Sequence, residues 1–129
     1  MHPGNVLTRV TDAVLFAPAV RTASANGTGV DCTDYEGVAA IVLTSTAEAA
    51  TGTMDLTIQD SPDNSVWSAV TLLDGAFTQV TNAGTSQQVR RIDMNAAQKF
   101  VRAVQTIGGG TPSATAAVSL IGIKKVASA

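Results

Sequence analysis

Apolar and polar residues alternate along much of this chain with a period of two, the repeat of a strand whose two faces meet different surroundings. The pattern is clearest over residues 53–59, where Met54, Leu56 and Ile58 are separated by Asp55, Thr57 and Gln59. Ser61-Pro62-Asp63-Asn64-Ser65 follows as a turn. Proline fixes φ there, and Asp and Asn bond their own backbone or accept the left-handed conformation. Residues 66–72, with the single tryptophan Trp67, are predicted to return as the partner strand of a hairpin. A turn at Asp74-Gly75 leads into a strand at 77–80, residues 81–85 turn again, and 87–94 open another strand. Residues 100–107 and 115–124 flank the Gly108-Gly109-Gly110 stretch and read as a last hairpin.

Upstream, residues 38–44 are continuously apolar and β-branched behind Gly37, the signature of a buried central strand. Residues 24–29 form a turn in which Gly27 and Gly29 are available for positive φ. The apolar run 13–20 is broken by Pro18 and is predicted as an edge strand or extended segment. Residues 1–12 are polar and start with a Pro-Gly turn signal, so they read as an N-terminal arm, leaving 13–129 as one domain. Helix is confined to one turn at most over 95–99, and residues 47–50 are a helical turn or a loop, with Thr46 and Thr51 favouring the loop. About seven or eight short strands, with turn signals roughly every 8–12 residues, predict an all-β chain. The expected architecture is an antiparallel β-sandwich or barrel, jelly-roll-like, with an extended arm.

Composition narrows the function. The 129 residues carry 8 Lys+Arg against 10 Asp+Glu, a net charge of −2. Without a basic cluster, nucleic acid is not an expected partner. No run approaches the roughly 20 apolar residues of a membrane-spanning helix, so no membrane role is expected. Only 14% of residues are charged, against roughly 25% in an average soluble domain. A surface this neutral suits a protein largely covered by other subunits, and a homo-oligomer is expected. Cys32 is the sole cysteine, which precludes an intrachain disulfide and reads as a small buried hydrophobe. The start has neither the basic nor the apolar region of a signal peptide, so a complete natural chain made in a reducing cytoplasm is expected.

Candidate chemistry is sparse. The one histidine, His2, sits in the arm, where a nucleophile–histidine pair would need the arm to fold over the body. No catalytic residue is assigned and the chain is not expected to be an enzyme. One Cys and one His cannot furnish a structural zinc site. The glycines at 108–110 precede no Lys-Ser/Thr pair, so they read as a hairpin tip. Asp31, Asp34 and Glu36, and separately Asp60, Asp63 and Asn64, are oxygen-rich groups of the kind calcium uses. Turn capping is the expected role of both, with Asp31 and Asp34 in Asx-turns, and neither metal nor cofactor is expected. Arg90-Arg91 and Lys124-Lys125 are adjacent pairs, and strand geometry sends the two members to opposite faces. Arg102 lies within an apolar strand, suited to a bidentate carboxylate contact across strands or subunits, or to the exposed face of an edge strand. Trp67 is predicted as a core plug opposite Leu56 or Phe100 in preference to a ligand platform.

Several of these words are shared with a known group. Asn26-Gly27-Thr28-Gly29-Val30-Asp31, Tyr35-Glu36-Gly37, the run from Ile58 through Ser61-Pro62-Asp63-Asn64-Ser65 to Trp67, and Phe100-Val101-Arg102-Ala103-Val104 resemble small virion proteins of tailed bacteriophages. The resemblance spans residues 26–124. It implies a capsid decoration (cement) protein that binds the outer surface of the head and bridges subunits of the major capsid protein. Its location would be the virion, after synthesis in the host bacterial cytoplasm. A cement protein buries a large neutral surface, and interface cores are depleted of charge. On a shell it would sit at local symmetry axes as a dimer or trimer. The arm, with Asn5, Val6, Leu7 and Arg9, would order on binding or add a strand to a neighbour's edge; Arg102 is the other expected partner-binding residue. The same words also look like discoidin-type glycan-binding sandwiches, although Asn64 replaces the expected glycine and paired terminal cysteines are missing. A tail- or head-fibre adhesion module, or a tail-tube or connector subunit, is the alternative.

Overall fold

Strand-forming alternation covers most of the chain, and the computed structural model, which describes residues 10–21, 23–47, 53–81, 84–108 and 114–124, turns it into two antiparallel sheets. The strands are β1 (Val10–Arg21), β2 (Ala25–Asn26), β3 (Val30–Asp31), β4 (Tyr35–Ala47), β5 (Thr53–Ser61), β6 (Ser68–Ala69), β7 (Val80–Thr81), β8 (Gly84–Asp93), β9 (Phe100–Gly108) and β10 (Ala114–Lys124). Sheet A has the order β1-β10-β4-β8 and sheet B the order β2-β9-β5-β6, with β3 also on β9 and β7 on β5. This is the sandwich and not the barrel. Four of the ten are two-residue pieces, so the six long strands carry the architecture. No helix forms among the described residues; residues 93–97 make a single turn, with the Ala97 N–H donating to the Asp93 carbonyl at 3.1 Å.

The core lies where the two alternating patterns face each other. Ile41, Leu43, Ile92, Val118 and Leu120 come from sheet A, and Met54, Leu56, Ile58, Val101 and Ala103 from sheet B. All ten are buried, and burial of such side chains is the main stabilising term, about 1.5–3 kcal/mol for each large one. Gln105 and Ser45 are also buried, and among the described residues no group bonds their side-chain polar atoms.

Several sequence expectations change. Residues 100–107 and 115–124 are strands, but not a hairpin: β9 pairs with β5 in sheet B, and β10 is inserted between β1 and β4 in sheet A. The alternation assigns each an inward face, and pairing in one sheet or facing across two satisfies it equally. The return strand expected over 66–72 shrinks to β6, opposite Gln59 and Asp60, and that expected over 77–80 to β7, opposite Thr53 and Met54. Residues 38–44 are indeed central, within β4, but only one face is covered. The left-handed φ values fall at Gly37, Gly75 and Asn64, not at Gly27 or Gly29. Those two glycines permit close approach instead: a Cβ on Gly27 would strike the Leu15 carbonyl. The expected arm reaches into β1, whose first three residues are Val10, Thr11 and Asp12.

The rims of sheet A are protected. β1 bulges where Leu15 and Phe16 are both buried in succession, and Pro18 follows; bulges and prolines both discourage edge pairing. On β8 the segment 73–79 acts as a cover. The Leu73 N–H donates to the Arg91 carbonyl at 2.9 Å, and the Gln88 amide bonds both backbone groups of Thr78 at 2.8 and 2.9 Å.

Candidate partner-binding surface

The two outward sheet faces differ in chemistry. On sheet B, β5 and β9 turn out Asp55, Thr57, Gln59, Arg102 and Thr106 together with Phe100 and Val104, a mostly polar face. Arg102 is fixed in it: its Nε and Nη2 donate to the Gln59 Oε1 at 2.9 and 2.7 Å, and its guanidinium lies 4.3 Å from the Trp67 ring centroid. The expected carboxylate is therefore an amide, and the expected core plug is a half-buried ring on the outside of the sheet. Trp67 reaches this position because the preceding turn is tied down. The Asp63 carboxylate accepts the N–H groups of Ser65 and Val66, each at 3.0 Å, and the Ser61 hydroxyl at 2.9 Å. These bonds, Val66 foremost, hold the Asp63 carboxyl below its usual range. Gly29 completes the cluster, since a Cβ there would come within 2.9 Å of the Trp67 ring.

Sheet A presents the opposite character. Seven large hydrophobic residues are exposed among the described residues, and five lie on its outward face: Val10, Val14, Val38, Val89 and Ile121, between 40% and 56% exposed. Cross-strand pairing arranges them in rows. Val14, Ser119, Val42 and Val89 form one row across all four strands, and Asp12, Ile121, Ala40 and Arg91 form the next. Arg91 is held at one margin by Asp74, Nη2 to Oδ1 at 2.7 Å, which brings the Asp74 carboxyl down to about 2. Its neighbour Arg90 points the other way, its guanidinium 5.4 Å from the Phe77 ring centroid, as adjacent strand residues must.

Within the oxygen-rich groups, Asp31, Asp60 and Asp63 anchor turns or loops. The Asp31 carboxylate accepts the Thr33 N–H at 2.9 Å together with the Thr33 hydroxyl. Asp60 accepts the backbone and side-chain N–H groups of Gln98, both at 3.0 Å. Among the described residues no three His, Cys, Asp or Glu side chains gather as metal ligands. Cys32 is buried, and burial pushes its thiol up to about 11. Asn5, Val6, Leu7 and Arg9 lie outside the described residues, as does His2. Sequence reasoning found Arg102 but missed the sheet A face, whose signal was present in the apolar residues at both parities of 38–43 and in Ile121 and Ile123.

No family model matches the chain, and no curated protein matches it in sequence. Among solved structures it is similar to the SPBc2 prophage-derived protein YomS, with a TM-score of 0.49 and 11% identity over 87% of this chain and 92% of that one.

Proposed function

We propose that this chain is a structural subunit of a tailed-phage particle, a decoration protein that sits on the outside of the head and bridges major capsid protein subunits. The observation that carries the reading is a surface composed for burial. Only 14% of residues are charged, and five exposed large hydrophobics share one sheet face. Water-exposed apolar patches of this kind mark protein–protein contact, and standard interfaces bury about 800 Å² per partner around a charge-poor centre. The resemblance of the 26–31, 58–67 and 100–104 segments to small virion proteins supplies the phage assignment. In this reading the residues ahead of β1, including Asn5, Val6, Leu7 and Arg9, grip the shell, as does Arg102. A discoidin-like glycan site would need an open aromatic face, whereas Trp67 gives one of its faces to Arg102.

Cryo-electron microscopy of intact particles, with copy number counted by quantitative mass spectrometry, tests the proposal. A copy number comparable to that of the major capsid protein, with density on the outer shell, is expected. Density confined to the tail or its fibres would overturn the head assignment. A chain lacking residues 1–9 should fold and fail to bind shells; undiminished binding would remove the arm from the contact.

A further inference from the structure

We infer that the outward face of sheet A is the contact between two copies of this chain, packed sheet on sheet about a two-fold axis parallel to the strands. The inference rests on the reading of the chain as an assembly subunit, and it names the occupant of that subunit's apolar face.

Size supports a second copy. Four strands about 4.8 Å apart, with about ten paired residues rising ~3.4 Å each, make a face with a projected area of about 600 Å². Side-chain relief brings its accessible area toward the roughly 800 Å² per partner of a stable interface. Shape supports it as well. The outward positions between the margins are Ala, Val, Ser and Thr over most of the face, and β-sheets stack about 10 Å apart when such small side chains interdigitate. The charges of the face stand at its margins and at one end: Asp12 and Arg91, Glu36 opposite Ile123, and Asp93 opposite Val38.

Charge selects the axis. Asp12 on β1 and Arg91 on β8 occupy opposite margins of one cross-strand row. Rotation about an axis along the strands exchanges the β1 and β8 sides and keeps each row at its own level. Asp12 of each copy then lies opposite Arg91 of the other, giving two symmetric pairs. The side-chain bonds from Arg91 to Asp74 use Nε and Nη2, leaving Nη1 to meet the incoming carboxylate. The same operation sets Val14 of one copy against Val89 of the other, apolar on apolar. An axis across the strands would place β1 on β1 and bring like charges together.

Sedimentation equilibrium on the full chain in the micromolar range tests the contact. A dimer is expected, weakened by more than about a hundredfold in Val89→Asp, because the substitution buries an unpaired charge twice in a symmetric interface. Both Val14 and Val89 are exposed, so the circular dichroism of the V89D monomer should match the parent, and its melting should match that of the parent diluted until its dimer dissociates. Geometry is read with a short bismaleimide linker: mixed V14C and V89C chains should link to each other, while the parent, whose only thiol is buried, should not link. A chain that stays monomeric, a dimer unaffected by V89D, or links formed within V14C or V89C alone would each overturn the inference. A monomer abundant on heads would leave the particle reading standing; a dimer absent from particles would do the reverse.

Discussion

Gly122 sits in β10 at a buried position, with one side of the Tyr35 ring close against it. A Cβ added there would be 2.6 and 2.8 Å from Cδ2 and Cε2 of the Tyr35 ring and 3.2 Å from the Ala39 Cβ. Ordinary carbon–carbon contacts are about 3.5–4.0 Å, so the ring must retreat by nearly an ångström. It has little room, being buried and bonded to Thr11. Two effects compete in Gly122→Ala. Reduced freedom of the unfolded chain stabilises by about 0.4–1 kcal/mol where the backbone conformation suits alanine, and Gly122 has no positive φ. Overpacking costs about 1–3 kcal/mol. The clash wins, and a net loss of about 1–2 kcal/mol is expected, a melting temperature lower by roughly 3–10 °C for a chain of this size. Urea unfolding of the four-member cycle with Tyr35→Ala isolates the cause. In the Y35A background the same G122A change should become neutral or slightly stabilising. If Gly122→Ala is harmless in the parent, or equally costly in both backgrounds, the ring contact does not explain the glycine.

Other consequences follow from single contacts. The Asp74 carboxyl, lowered to about 2 from 3.8 by Arg91, lends stability that is complete above about pH 4 and is lost as pH falls toward 2; Asp74→Asn should flatten that acid limb in urea titrations at successive pH values, and an unchanged limb would show the pair to be inert. Arg102→Ala removes a guanidinium stacked on the single tryptophan, so Trp67 emission should shift to longer wavelength with a loss of about 0.5–1 kcal/mol in urea unfolding; an unmoved spectrum would count against the stack. Gln105 buries an amide that no group among the described residues bonds, so Gln105→Leu should stabilise the fold by about 1–3 kcal/mol in thermal melts, and destabilisation would mean the amide is satisfied.

Particular residues show where sequence reading worked. Met54, Leu56 and Ile58 point inward as their alternation demands, Asn64 takes the left-handed conformation, and Asp63 ties the turn. Arg90 and Arg91 separate to opposite faces. Each of these depends on chain neighbours a few residues apart, which is the range over which backbone geometry acts. Arg102 was recognisable as a charge in an apolar strand, yet its partners Gln59 and Trp67 are 43 and 35 positions away by number and arrive only through folding.

The sequence by itself determined that this protein is built of strands, where most of them run, and which face of each turns inward. Only the tertiary structure decided that β10 threads between β1 and β4 while β9 joins β5, that Gly27 is needed for close approach to Leu15, and that five exposed hydrophobics assemble into one continuous face. The physical reason is range. A period of two assigns a side to every residue but names no partner strand, because pairing trades loop-closure entropy against ladders formed between distant segments. An outward apolar face comes into being when those segments meet, and it can be read only after they have.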